Sequence, residues 1–246
     1  IVNAANSLID KNTEQIRKTV YSEREEGSKV AVLSSYSDYE EAYTVAARIG
    51  EMRRRQDYDY ADFALLYRTN AQSRVLEEAL RKRGIPYKIY GGLSFYQRKE
   101  IKDVIAYARL VVNPHDEEAL KRVINYPARG IGDTTVGKLV QAASEREISL
   151  WEVLEDPVGQ GMSINAGTAK KLLAFRSLIQ SFSELDQTLA ADELAMAIVR
   201  QSGLLKELMA DRSVEGISKQ ENLQELLKGI TEFCEIRREE GLEQVR

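Results

Sequence analysis

Three short apolar runs, residues 29–35, 63–67 and 86–90, alternate with charged stretches whose apolar residues recur at helical spacing. That alternation constrains the fold more than any other feature. Short continuous apolar runs suit buried parallel strands, and the amphipathic stretches between them suit crossover helices. The first stretch covers 38–55, with Tyr39, Ala42, Tyr43, Ala46 and Ile49 on one face. A second is capped by Thr69 or Asn70 and ends at Gly84, with Val75, Leu76, Ala79 and Leu80 inward. A third runs from about Gln97 to Val112 and turns Ile101, Val104, Ile105 and Ala108 inward. The expected fold of residues 1–113 is therefore α/β, a parallel sheet with crossover helices.

From Pro114 onward only helical periodicity remains, as in Ala169–Ile179 and Leu223–Ile230, broken by Gly and Pro near 127–132, 157–167, 203 and 216. An all-α region over 114–246 is expected, with the boundary at Asn113-Pro114. The chain opens inside a helical pattern and closes in a charged helical run from Glu235 to Arg246. Both ends read as cuts through a longer protein.

Composition narrows the chemistry. One histidine, His115, and one cysteine, Cys234, argue against a Ser-His-Asp triad, a thiolate metal cluster and an internal disulfide. His115 reads as a surface residue; Cys234 and Trp151 read as packing. No catalytic or metal-binding residue is assigned. No apolar run approaches the ~20 residues a membrane span needs, and the start is not a signal peptide. The single cysteine fits a reducing compartment, and a cytoplasmic location is expected. The net charge of −4 hides an asymmetry: 19 basic against 16 acidic residues in 1–113, and 16 against 23 in 114–246. The first part is the better electrostatic host for phosphate.

Three segments carry candidate chemistry. Residues 66–74 pass from the end of an expected strand into a helix, where unpaired N–H groups and the helix dipole favour anions. Arg68, Asn70, Gln72, Ser73 and Arg74 add donors suited to phosphate or sugar, although ordinary capping by Thr69 or Asn70 explains the pattern as well. Residues 90–103 join the Gly91-Gly92 turn to Phe95, Tyr96, Arg98, Lys99 and Lys102. Rings beside cations suit single-stranded nucleic acid, while an amphipathic helix after a turn is the plainer reading. Residues 125–135 hold Arg129-Gly130-Ile131-Gly132 between two helical patterns. Its amides run into the start of the second helix with Thr134 beside them, a way to hold duplex phosphates without reading sequence. A tight helix–helix turn is the alternative.

Taken in order, Tyr67-Arg-Thr-Asn-Ala-Gln-Ser-Arg74, then Gly91-Gly-Leu-Ser-Phe-Tyr-Gln-Arg-Lys-Glu-Ile-Lys-Asp103, then Arg129-Gly-Ile-Gly132 resemble the UvrD/PcrA/Rep branch of superfamily 1A DNA helicases. The opening Val2-Asn-Ala-Ala-Asn-Ser-Leu-Ile9 resembles the stretch after that family's Asn-Tyr-Arg-Ser motif. The resemblance implies that 1–113 is an incomplete second RecA-like domain (2A). It implies that 114–246 is the inserted helical accessory domain (2B), with its Gly-Ile-Gly hairpin. It also implies a fragment of an ATP-dependent helicase moving 3′ to 5′, with ATP and magnesium used by the full-length protein and none expected on this fragment. Neither the phosphate loop nor the late arginine motif lies in this sequence, so the fragment alone should not hydrolyse ATP.

By the same resemblance, Arg68, Asn70, Gln72, Ser73 and Arg74 belong to a DNA-side motif. Gly91, Gly92, Phe95, Arg98 and Lys102 line a single-strand path or hinge, and Arg129, Gly130, Ile131, Gly132 and Thr134 touch duplex. Expected partners are single-stranded and duplex DNA and repair or replication proteins, with no membrane. Two alternatives stand beside this: a non-catalytic helicase-like interaction or regulatory module, and a helicase–nuclease subunit.

Overall fold

The computed structural model describes residues 1–14, 16, 18–25, 27–56 and 58–241. The last five residues of the charged run from Glu235 lie outside them. The helices are α1 (Val2–Ile9), α2 (Asp38–Gln56), α3 (Ser73–Lys82), α4 (Lys99–Val112), α5 (Glu117–Val123) and α6 (Asp133–Arg146). They continue with α7 (Leu150–Val153), α8 (Ala166–Asp186), α9 (Ala191–Gln201), α10 (Leu204–Ala210) and α11 (Val214–Glu239). Short 3-10 turns stand at Tyr60–Asp62, Asn70–Gln72 and Phe95–Gln97.

The expected α/β sheet does not form: no strand occurs among the described residues, and the incomplete RecA-like parallel sheet is corrected to a helical fold. Residues 29–35, 63–67 and 86–90 have the composition of strands, but no backbone hydrogen bond joins one to another among the described residues. A strand is stable only beside a partner about 4.8 Å away that takes its N–H and C=O groups. Without a partner, the side chains of the first run point to solvent, with Val32 89% exposed. Leu66 in the second run is likewise exposed.

The main core begins at Phe95. Helix α4 lies at its centre, burying Ile101, Val104, Tyr107, Leu110 and Val111. Against it pack Leu172, Phe175, Ile179 and Phe182 of α8, Ile198 and Val199 of α9, and Leu223 and Leu226 of α11. Ala108, expected inward, faces out, because the buried stripe of α4 runs through 104, 107 and 111. Side-chain caps fix the helix starts: Asp116 accepts from the Ala119 N–H at 3.0 Å, Asn165 from Thr168 at 2.8 Å and Ser213 from Gly216 at 3.0 Å. Trp151 and Cys234 are buried, whereas His115 is exposed and bonded to Ser149.

A second, smaller apolar cluster joins Ala46 and Ile49 of α2 to Leu80 of α3 and to Ile85. Tyr43, expected inward, is exposed on α2 under the Arg83 guanidinium. The two clusters do not merge. Between them run polar contacts, chief among them those of Arg74 and Glu77, both buried on α3.

Phe182→Ala should lower the unfolding free energy by about 3–5 kcal/mol, because the ring is fully buried and surrounding side chains relax only partly into the space it leaves. Urea denaturation followed by circular dichroism measures it.

Candidate nucleic-acid interface

The loop ahead of α3 is closed by one side chain. Gln72 Oε1 accepts from the backbone N–H of Arg68 at 2.9 Å and of Thr69 at 3.0 Å. Ser73 donates to the Asn70 carbonyl at 2.9 Å. The Asn70 amide reaches across to Ser218 of α11 at 3.2 Å. Arg68, Asn70 and Gln72 are exposed, but Ser73 and Arg74 are buried. Arg74 Nε donates to Glu225 at 2.8 Å, Nη1 to Tyr39 and Glu78, both at 3.1 Å, and Nη2 to Glu232 at 3.4 Å. Burial opposes the charge on Arg74, yet the hydrogen bonds to Tyr39 and Glu225 and the field of Glu78 outweigh it and raise its pKa. Arg74 is therefore a charge held inside the protein and cannot reach a phosphate in this arrangement.

A cleft of about 730 Å³ opens between this loop and α11. Asp38, Glu41, Glu221 and Glu225 line it against Arg68 and Lys228, an acidic balance that repels phosphate. A second groove, about 780 Å³, lies on the other side of residues 64–67. Tyr60, Phe63, Tyr67, Tyr87 and Tyr90 wall it, and Gly91 and Gly92 also line it. Tyr90 is largely exposed with Lys88 near its ring, so this groove presents aromatic faces and a cation. Phe95 faces the other way: it is fully buried and stands edge-on to Tyr96. Phe95, expected on the single-strand path, is thus a core residue, whereas Tyr67, Tyr87 and Tyr90, expected in strands, line the groove.

Glu77 ties this region to α3. It accepts from Tyr87 Oη at 3.1 Å, from the Phe95 N–H at 3.0 Å and from the Ser94 hydroxyl. Glu78 accepts from Tyr96 Oη at 2.8 Å. Nothing in the pattern marked this pair, because an acidic residue on a helix is ordinarily solvated. Arg98 is half-buried, and among the described residues its Nε and Nη2 find neither solvent nor a protein acceptor. Its Nη2 lies 4.0 Å from where a side chain on Gly92 would begin. Lys102 is exposed one turn further along α4.

The third segment separates into a buried brace and an open tip. Arg129 donates to the carbonyls of Val123 at 3.0 Å, Pro127 at 3.2 Å and Ser202 at 2.9 Å, and to Tyr107 Oη at 2.7 Å. Asn125 Oδ1 accepts the N–H groups of Arg129 and Ile131, and Ile131 is fully buried. Gly130 has φ +69°, which a side chain would strain. Beyond it the chain comes to the surface. Gly132, Asp133 and Thr134 are exposed, and among the described residues their N–H groups meet no acceptor. Three amides thus face solvent at the start of the fourteen-residue helix α6. Lys171 approaches this tip, donating to the Gly130 carbonyl at 3.2 Å.

The sequence has no Gly-x-x-x-x-Gly-Lys-Ser/Thr loop. Among the described residues no group of three or more His, Cys, Asp or Glu side chains could hold a metal ion. No helix of the described residues is long and apolar enough to cross a membrane.

Two measurements check this division. Arg129→Ala should cost about 2–4 kcal/mol in urea denaturation, since it leaves inward-facing carbonyls unpaired, whereas Thr134→Ala should stay within about 0.5 kcal/mol. Alkaline stability should fall as well. Burial first, and then the Glu78 hydrogen bond, push Tyr96 up to about 12. Burial likewise pushes Tyr107 up to about 12, against the pull of Arg129. Both phenols keep their protons in the fold where the unfolded chain loses them, so their stabilisation is intact below pH ~10 and drains away as pH rises toward ~12. Melting temperatures across that window should fall less steeply in Tyr96→Phe.

Residues 1–245 match the UvrD-like helicase C-terminal domain. The chain is 36% identical over 233 residues to the ATP-dependent DNA helicase PcrA of Bacillus subtilis, covering 95% of this chain and 31% of that protein. It is 38% identical over 234 residues to DNA helicase II of Haemophilus influenzae, covering 95% and 32%. With DNA helicase II of Escherichia coli it shares 34% identity over 244 residues, covering 98% and 33%. It therefore spans about a third of the length of these relatives. With all but its final residue inside that match, the chain belongs to the UvrD-like helicase C-terminal domain family.

Proposed function

We propose that this chain is the DNA-gripping portion of an ATP-dependent helicase that moves 3′ to 5′ on single-stranded DNA. The observation that carries the reading is the solvent-facing row of unpaired amides at Gly132–Thr134, at the start of α6. Such a row binds phosphate oxygens without discriminating bases, as a translocating enzyme requires. Gly130, Gly132 and Thr134 hold duplex backbone, with Arg129 and Ile131 bracing the hairpin from inside. Arg68, Asn70, Gln72, Gly91, Gly92 and Lys102 face the single strand, whose bases stack in the groove walled by Tyr67, Tyr87 and Tyr90. Ser73 and Phe95 support those surfaces from below. Arg98 brings two buried, unpartnered donors beside the Gly91-Gly92 turn.

The division of labour follows residues 1–113 for single-strand contacts and 114–246 for duplex. Hydrolysis of magnesium–ATP then depends on residues this chain does not supply, and the chain alone is inactive as an ATPase. DNA is the main partner, with repair or replication proteins beside it, and the working location is the cytoplasm.

Titration of labelled forked DNA into the chain tests the reading. Binding should be weak and sequence-indifferent, with a log–log salt slope of about −0.9 for each duplex phosphate held. Gly132→Val has open space around its side chain, so the fold should survive while the amides are screened. Duplex affinity should drop roughly tenfold, the worth of one charge-assisted hydrogen bond. Salt-insensitive tight binding, no binding at all, or an unchanged Gly132→Val affinity would overturn it.

A further inference from the structure

Helix α11 carries a polar stripe where an amphipathic helix would carry leucine. Ser218, Glu225, Gly229 and Glu232 recur at helical spacing and face the α2–α3 unit. Gly229 is the unexpected member. It sits in the middle of a 26-residue helix, where glycine is a poor helix former and needs a reason. The reason is geometric. A side chain built on Gly229 would begin 2.8 Å from Arg74 Nη1 and 2.9 Å from Cζ. The guanidinium therefore lies against the bare backbone of α11, with Glu225 one turn before the notch and Glu232 about one turn after it. By contrast, a side chain added at Gly50 of α2 or Gly137 of α6 meets nothing within 4 Å.

We infer that Arg74 is a positioning residue: its guanidinium, seated in the Gly229 notch and held by Glu225, Glu232 and Glu78, fixes the Arg68–Gln72 loop against α11. The loop is continuous with α3, so the seat of Arg74 sets where the loop stands. Asn70–Ser218 and the Asp38–Lys228 ion pair at 2.6 Å flank the seat and complete the attachment. No apolar cluster spans this seam, so the attachment depends on donors and acceptors meeting in register. The planar fork is essential. Nε, Nη1 and Nη2 each serve a different carboxylate, a geometry that a single ammonium cannot reproduce.

Hydrogen exchange of the whole chain tests the inference. Gly229→Ala raises helix propensity, so a glycine without a purpose would give an equal or tighter protein. A true notch gives the reverse. Amides of residues 64–76 should exchange at least about tenfold faster, while those of α4, residues 101–111, keep their rate. Arg74→Lys should do the same despite keeping the charge, and Gly137→Ala should change neither region. Unchanged or slower exchange at 64–76 in Gly229→Ala overturns the inference. Equal acceleration of 64–76 and α4 also overturns it, because the effect would then be global unfolding.

A second arm rests on the DNA reading above. Single-strand affinity should fall in Arg74→Lys and Gly229→Ala with no change in salt slope, because no phosphate contact is lost; Arg68→Ala should flatten the slope. A flattened slope in Gly229→Ala would make Arg74 a direct contact and overturn the positioning role. Wild-type chain that binds no DNA would sink the DNA reading alone, since exchange still decides the seat.

Discussion

A full positive charge inside the protein sets the terms for much of what surrounds it. Arg74 is 2% exposed, and a guanidinium in that position is tolerated only when its donors are taken up by well-placed acceptors. Such a cage adds little net stability, because desolvation of the ions cancels most of the attraction. What it adds is intolerance of error: removing one partner of a buried pair typically costs about 3–5 kcal/mol. The α2–α3 unit is thereby held in one register on α11. The same helix face carries Glu77, whose carboxylate collects Tyr87, Ser94 and the Phe95 N–H. One ten-residue helix thus orients the loop before it and the turn after it through two buried charges of opposite sign.

The two candidate DNA surfaces are built on different physics. At the α6 tip the available donors are backbone: unpaired amides and a helix dipole, with Arg129 turned inward to hold the hairpin. Backbone donors do not depend on net charge, so the proposed phosphate site is compatible with an acidic region. At the α3 loop the available donors are side chains, and the acidic cleft toward α11 leaves the outer face of the loop, with Arg68 and the tyrosine groove, as the side open to an anion.

Helices were legible because their signal is local: apolar spacing along α4, α8 and α11 needs no knowledge of the partner. The sheet was misread because a strand's stability belongs to a pair of segments, and an apolar run such as 63–67 reports only half of one. The motif segments could be located, but the direction of each side chain could not. Arg68 and Arg74 look equivalent in the sequence, yet six residues of 3-10 turn and helix place one in solvent and the other in the interior. Gly229 did leave a mark, a glycine inside a long helical run. Its meaning depended on what approached from a residue 155 positions earlier in the chain.

The same long-range pairing changes what the charge asymmetry means. Counted along the chain, residues 1–113 are basic and 114–246 acidic, which suggests one half that attracts phosphate and another that repels it. Several of those charges face each other: Arg74 meets Glu225 and Glu232, and Arg109 meets Asp116 and Glu118. Asp38 and Lys228 pair with the signs reversed. The opposite signs of the halves therefore act first between the halves, and at the α2–α3 seam that attraction works without a shared apolar core. Carboxylates consumed there no longer act on a passing strand at full strength, because a paired charge presents a dipole, whose field decays faster with distance. The excess acid in the second half is, in part, the counterpart of the buried arginine in the first.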